Sequence, residues 1–353
     1  MKDLILHVSE LNRPWRGNDP FLFCAYHIDN YPEGNGQLGI DLHHLNDRTL
    51  GNDFSHLHGY SMYHGHSVPG FPAHPHRGFE TVTIVRSGYV DHADSLGGMA
   101  RYGAGDVQWL TAGQGIQHAE MFPLVHTDKT NTLELFQIWL NLPSHKKMVP
   151  PAFKMLWSET IPRYCNNGAS VEVIAGQLHL LDQNQALRPP SPPENSWAAD
   201  DNAEVAIWLV TLQPGATLTL PAARLNENQR TLYVFDGMGL QIDSQSVGTS
   251  KLIQVDALQP LPVANYGEKQ VQFLLLQGVP LNEPVVAEGP FVMNTEAEIH
   301  QAKLDYRRSH FGDWLWANYE PVYGSSEQRF ARYPGQVEIG IPPSDSHKEE
   351  RHD

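Results

Sequence analysis

Cysteine is scarce in this chain, positive charge is scarce, and no apolar run is long. The two cysteines, Cys24 and Cys165, lie far apart and outside any metal-ligand spacing. They supply no thiolate metal site and read as two free thiols in a reducing compartment. Lys plus Arg total 24 against 40 Asp plus Glu, a formal charge of -16 with histidine neutral. Phosphate binding needs concentrated positive charge, and the compact basic cluster here is only His145-Lys146-Lys147, so a direct nucleic-acid partner is excluded. No segment has the apolar length that spans a membrane. The opening Met1-Lys2-Asp3-Leu4-Ile5-Leu6-His7 lacks the continuous apolar core of a secretory signal, so none is expected and a cytoplasmic location is the default.

What the chain does have is length and punctuation. With 353 residues and 41% hydrophobic content it can bury a sizeable interior and is long enough for two domains. Its 29 glycines and 26 prolines break the apolar stretches into short pieces, which predicts many strands and little helix. Phe79–Val85, Asp106–Leu110 and Leu133–Leu140 read as strands of a first half. After a proline-bearing linker over 142–151, Val171–Leu180, Glu204–Thr211, Thr217–Leu220, Arg230–Phe235 and Val271–Leu276 repeat the style. Such spacing predicts an all-β protein, with the second half a second antiparallel sandwich or small barrel. Asn184 to Ala203, which carries Pro189-Pro190 and Pro192-Pro193, reads as a surface excursion between strands.

The chemistry concentrates in two short motifs, His74-Pro75-His76 and His118-Ala119-Glu120. Residues two apart on a strand share a face, so two adjacent strands could each aim two ligands into one interior. Three imidazoles and a carboxylate suit Fe, Mn, Co, Ni, Cu or Zn, whereas Mg or Ca prefers oxygen. His56-Leu57-His58 and His64-Gly65-His66 have the same spacing but lie among Asn, Asp, Ser, Gly and Tyr, where strands are poorly encoded. They read as structural or solvent-facing. Phe71, Phe79 and Trp109 read as core or pocket-wall aromatics, and Gly113 and Gly115 as shaping the turn before His118.

Longer stretches around those motifs carry a resemblance. Gly70-Phe71-Pro72-Ala73-His74-Pro75-His76-Arg77-Gly78-Phe79-Glu80-Thr81-Val82-Thr83 and Gly105-Asp106-Val107-Gln108-Trp109-Leu110-Thr111-Ala112-Gly113-Gln114-Gly115-Ile116-Gln117-His118-Ala119-Glu120-Met121 resemble the pirin family. Weaker likeness runs from about residue 16 to Phe311-Gly312, through Glu134–Pro143 and Asn282–Thr295. The resemblance implies a bicupin, two cupin-type antiparallel β-barrels: an N-terminal metal-binding cupin over 1–145, a metal-free one over 146–311, and an aromatic extension with a charged tail over 312–353.

It further implies one transition metal, usually iron as Fe(II), on His74, His76, His118 and Glu120. Glu80, where many other cupins place a ligand, is then left as a hydrogen-bonding residue of the barrel. Pirins are associated with quercetin 2,3-dioxygenase activity, in which a flavonol is opened by dioxygen with loss of carbon monoxide; Glu120 is the candidate base for the 3-hydroxyl proton. Other pirins act as redox-dependent regulators that bind a partner protein, and a bicupin enzyme for another small hydroxylated substrate is a third expectation. Two departures stand out: a long connection before Gly70 bearing His43-His44, Tyr60 and Tyr63, and Gln114 where pirins often carry a basic residue. Trp314, Trp316, Tyr319, Tyr323, Phe330 and Tyr333 predict that the extension packs onto the body or a partner, with 344–353 frayed.

Overall fold

The computed structural model describes residues 3–180 and 183–344. Strands in antiparallel sheets dominate, and they gather into two compact units that are not contiguous stretches of chain. Among the described residues, one unit combines 25–138, 144–159 and 283–344; the other combines 3–24, 139–143 and 160–282. Residues 3–24 therefore group with the later barrel, and the described part of the extension, 312–344, groups with the earlier one.

In the unit that carries the two histidine motifs, one sheet runs Ala152–Leu156, Asp106–Thr111, Phe79–Ser87, Asn131–Asn141, Phe21–Tyr31. The division between units falls inside the last two strands. The facing sheet runs Phe330–Arg332, Met99–Gly103, Tyr89–Asp94, Ile116–Met121, Gly70–His76. Alternation sets what lies between them: Val85, Val90, Ala100, Tyr102, Leu110, Ile116, Leu133 and Leu135 form one buried cluster. Parity from these residues puts Thr83, His92, His118, Glu120 and Gln137 on the same inner faces.

The long connection before Gly70 is part of this core. Leu45, Tyr60, Met62 and Tyr63 are buried in the same cluster, and Arg48 is tied to Asp53 at 2.6 Å. The extension packs on the same unit. Phe330–Arg332 pairs with Met99–Gly103, Trp316 Nε1 donates to the Asp94 carbonyl at 3.0 Å, and the Tyr323 hydroxyl donates to the His92 carbonyl at 2.8 Å. Residues 345–353 of the expected frayed tail lie outside the described residues.

The other unit has a seven-stranded sheet, Ile5–Glu10, Lys251–Val255, Gln229–Asp236, Val271–Gly278, Ala206–Leu212, Ala169–Ala175, Arg163–Asn166, against a four-stranded one. Two strands are shorter than the sequence suggests. The expected Val171–Leu180 strand stops at Ala175 because Gly176 turns to φ +76 with Ala206 packed against it. The expected Glu204–Thr211 strand begins at Ala206, since Glu204 sits at φ +40. Cys24 is buried and Cys165 exposed, and neither is in a disulfide.

Among the described residues one α-helix occurs, Glu296–Ser309, which the apolar pattern did not reveal. It buries only Ile299 and Ala302 and is held by its ends. The Thr295 side chain accepts from the Glu298 amide, and its hydroxyl donates back to the Glu298 carboxylate. Acidic residues in the first turn and Arg307 and Arg308 in the last favour the helix dipole. No helix among the described residues is long and apolar enough to cross a membrane.

Candidate metal centre

The strands Gly70–His76 and Ile116–Met121 are direct neighbours, paired antiparallel so that His74 faces His118 and Phe71 faces Glu120. Between Phe71 and His74 the register slips, a bulge that contains Pro72, which cannot donate to the ladder. Gly70 starts this strand at φ +133, where a Cβ would fall 2.5 Å from the Glu120 carbonyl oxygen. Only glycine allows the two strands to close on each other there.

Three imidazoles meet at this seam. His74 Nε2 lies 3.1 Å from His76 Nε2 and 3.1 Å from His118 Nε2, and the ligand atoms of all three lie within 4.8 Å of one another. Donors at right angles around an ion with metal–nitrogen bonds of about 2.1 Å would stand about 3.0 Å apart. The spacing fits one shared ion. Burial lowers the proton affinity of all three rings, His74 to about 4 and the other two well below their ordinary 6.5. Each ring is thereby neutral near pH 7, with a lone pair to offer.

The rings are oriented from behind. His74 Nδ1 lies 2.8 Å from the Pro72 carbonyl, which fixes its proton on Nδ1 and leaves Nε2 as the donor atom. His76 is buried, and its ring meets Phe79 edge-on with centroids 5.0 Å apart. His118 is buried beside a second histidine, His92, with ring centroids 5.5 Å apart. His92 in turn lies 3.0 Å from Asp94, and both are fully buried. Next to His76, Arg77 is held by Asp305 of the helix at 2.8 Å and by the Gln114 carbonyl at 2.6 Å.

Glu120 lies beside the imidazole cluster, with Oε2 3.6 Å from His118 Nε2. Its carboxylate accepts from Gln137 Nε2 at 3.0 and 2.9 Å and from the Thr83 hydroxyl. Burial raises its proton affinity above the ordinary 4.5 despite those hydrogen bonds. Glu80 belongs elsewhere. It shares a face with Val82 and Ile84, opposite to Thr83, and accepts from Trp109 Nε1 at 3.1 Å and the Thr111 hydroxyl at 2.6 Å.

The other histidine pairs supply no atom to the three-ring cluster. His56 is half-exposed beside Asp29, His64 hydrogen-bonds the Gly51 carbonyl, and His66 meets Glu320 at the surface. Their segment still approaches the centre through aromatics: Tyr63 stacks on Phe71 with centroids 5.1 Å apart, and Phe71 meets His74 edge-on at 6.2 Å. Gln137, Thr83 and His92 were not singled out from sequence. The available signal was a polar residue on the inner face of an otherwise apolar strand, as Gln137 is after Leu133 and Leu135.

A three-histidine cluster between antiparallel sheets defines a cupin with a centre compatible with a single metal ion. Comparison with known proteins narrows this. The pirin family model matches residues 18–140, and the model of the pirin C-terminal cupin domain matches 207–312. The chain belongs to the pirin family. It is 37% identical to a pirin-like protein of Solanum lycopersicum over 242 residues, 67% of this chain and 75% of that one. It is 35% identical to pirin of Homo sapiens over 261 residues, 72% of this chain and 81% of that one. In structure it resembles a quercetin 2,3-dioxygenase of Acinetobacter baumannii, with TM-score 0.66 and 27% identity over 88% of this chain and 98% of that one.

Proposed function

We propose that this pirin holds one metal ion, Fe(II), on His74, His76, His118 and Glu120 and opens flavonol-type substrates with dioxygen. The observation that carries this reading is the convergence of three neutral imidazoles on one point with a buried carboxylate alongside. The likeness to the Acinetobacter baumannii quercetin 2,3-dioxygenase supports the substrate class. When bound, the metal would supply the Lewis-acid and one-electron chemistry that a flavonol and dioxygen need in order to react.

The residues of the chain perform the rest. The Pro72 carbonyl keeps the His74 proton on Nδ1. Glu120 takes the proton of the substrate's 3-hydroxyl, being the carboxylate that stands beside three neutral imidazoles, and a base must lie within hydrogen-bond reach of the proton it removes. Gln137 and Thr83 hold that carboxylate in one orientation. Tyr63, Phe71 and His64 form an aromatic group beside His74, suited to a flat phenolic ligand.

The test is anaerobic loading with one metal at a time, then admission of dioxygen and quercetin. The reading predicts that flavonol loss is matched by carbon monoxide release in the Fe(II) protein and falls by at least about 100-fold in Glu120→Gln. Full turnover by Glu120→Gln would remove the base role. Metal binding without turnover of any flavonoid, together with capture of one stoichiometric partner protein, would point instead to regulation.

A further inference from the structure

The barrel without the histidine motifs contains a buried cation that makes no ion pair at bonding distance among the described residues. Arg230 is 2% exposed and lies on the inner face of its strand, in line with the core residues Leu232 and Val234. Its cross-strand partner is Gln277, on the inner face with Phe273 and Leu275. Arg230 Nε donates to Gln277 Oε1 at 2.9 Å and Nη2 to the Pro221 carbonyl at 2.8 Å, both neutral acceptors. Nη1 is buried with no hydrogen-bond partner. A charged group in this position is costly to bury unless something pairs with it.

No carboxylate among the described residues lies within ion-pair distance of Arg230. The acid that faces it, Glu204, is already committed: its oxygens accept from the Arg224 amide, the Leu225 amide and Asn228 Nδ2, each at 2.7 Å. Asp200 caps the Asn202 amide, and Asp201 is exposed. Burial lowers the guanidinium to about 10, so it remains cationic at neutral pH.

Arg230 opens onto a cavity of about 580 Å³. Its walls include Trp208, whose ring centroid is 6.0 Å from the guanidinium carbon, and Pro189 and Pro190 of the excursion between strands. Arg188 and Arg224, both exposed, also line it. The proline-rich excursion is thus the wall of a pocket that has a buried cation at its base and an apolar flank.

We propose that this cavity binds a small organic carboxylate, whose charge is met by the Arg230 guanidinium and whose apolar body lies against Trp208. An arginine fork matches carboxylate geometry, and the aromatic wall favours a ring-bearing or aliphatic acid over a bare inorganic anion.

The probe is benzoate, titrated into the full-length, metal-bearing protein and followed by calorimetry and tryptophan fluorescence. The expected result is saturable binding below about 10 mM, weakened at least about tenfold in Arg230→Met and retained in His118→Ala. Arg230→Lys provides a second variant that keeps the charge without the fork, and weaker binding is expected there as well. The proposal is overturned by absence of saturation in the wild type or by undiminished binding in both Arg230 variants. Loss in His118→Ala with retention at Arg230 would place benzoate at the metal centre and also overturn it, as would Arg230-dependent binding of inorganic phosphate in preference to benzoate.

Discussion

Gln137 donates to both oxygens of Glu120, its Nε2 lying 3.0 Å from Oε1 and 2.9 Å from Oε2. One amide thus fixes the plane of the carboxylate beside the imidazole cluster. Partners of this kind behind a metal ligand typically account for about 10–100-fold in metal affinity. Gln137→Leu is expected to weaken metal binding by that factor in competition with a chelator, while the three imidazoles stay in place. Unchanged affinity would mean that Glu120 is not a ligand or needs no support.

Gly70 is a point of close contact between the two strands that carry the histidine motifs. A methyl group there would press on the Glu120 carbonyl at 2.5 Å, on a backbone angle that disfavours any side chain. Gly70→Ala is expected to cost about 1–3 kcal/mol and to lower the thermal midpoint by roughly 5 °C. Metal affinity should fall with it, because the strand that must move carries His118 and Glu120. A variant with wild-type melting and metal content would show that the seam is looser than this geometry implies.

Lys147 is buried, with Nζ donating to the Gly78 carbonyl at 2.8 Å and the Val292 carbonyl at 3.0 Å. Burial lowers its pKa from the ordinary 10.5 to about 8. The unfolded chain therefore holds this proton over a range in which the native state has released it, and stability from Lys147 rises with pH between these values. Between about pH 7.5 and 9.5 the wild type should gain about 2 kcal/mol relative to Lys147→Met in chemical denaturation. A flat or opposite difference would contradict the assignment.

The histidine motifs were legible because strand alternation is local: His74 and His76, or His118 and Glu120, share a face whatever the rest of the chain does. The cluster itself depends on which strands become neighbours, and the pairing of Gly70–His76 with Ile116–Met121 was the simplest arrangement that would make both motifs useful. Gln137, Thr83 and His92 reach the centre only through cross-strand register, which no short segment encodes. The same holds for Ile5–Glu10, which pairs with Lys251–Val255 across most of the chain. The helix Glu296–Ser309 was missed for a different reason. Its apolar stripe is faint, with Ile299 and Ala302 its only buried residues, and its clearest signal was the Thr295–Glu298 cap.

The central claim, a single transition-metal ion on the His74, His76, His118 and Glu120 set, is tested most directly by elemental analysis of protein purified without added metal. The account predicts about one first-row transition-metal ion per chain, lost in His74→Ala and His118→Ala but kept in His56→Ala and His64→Ala. Equal metal content in His118→Ala and wild type, or loss of metal through His56 or His64 alone, would contradict it.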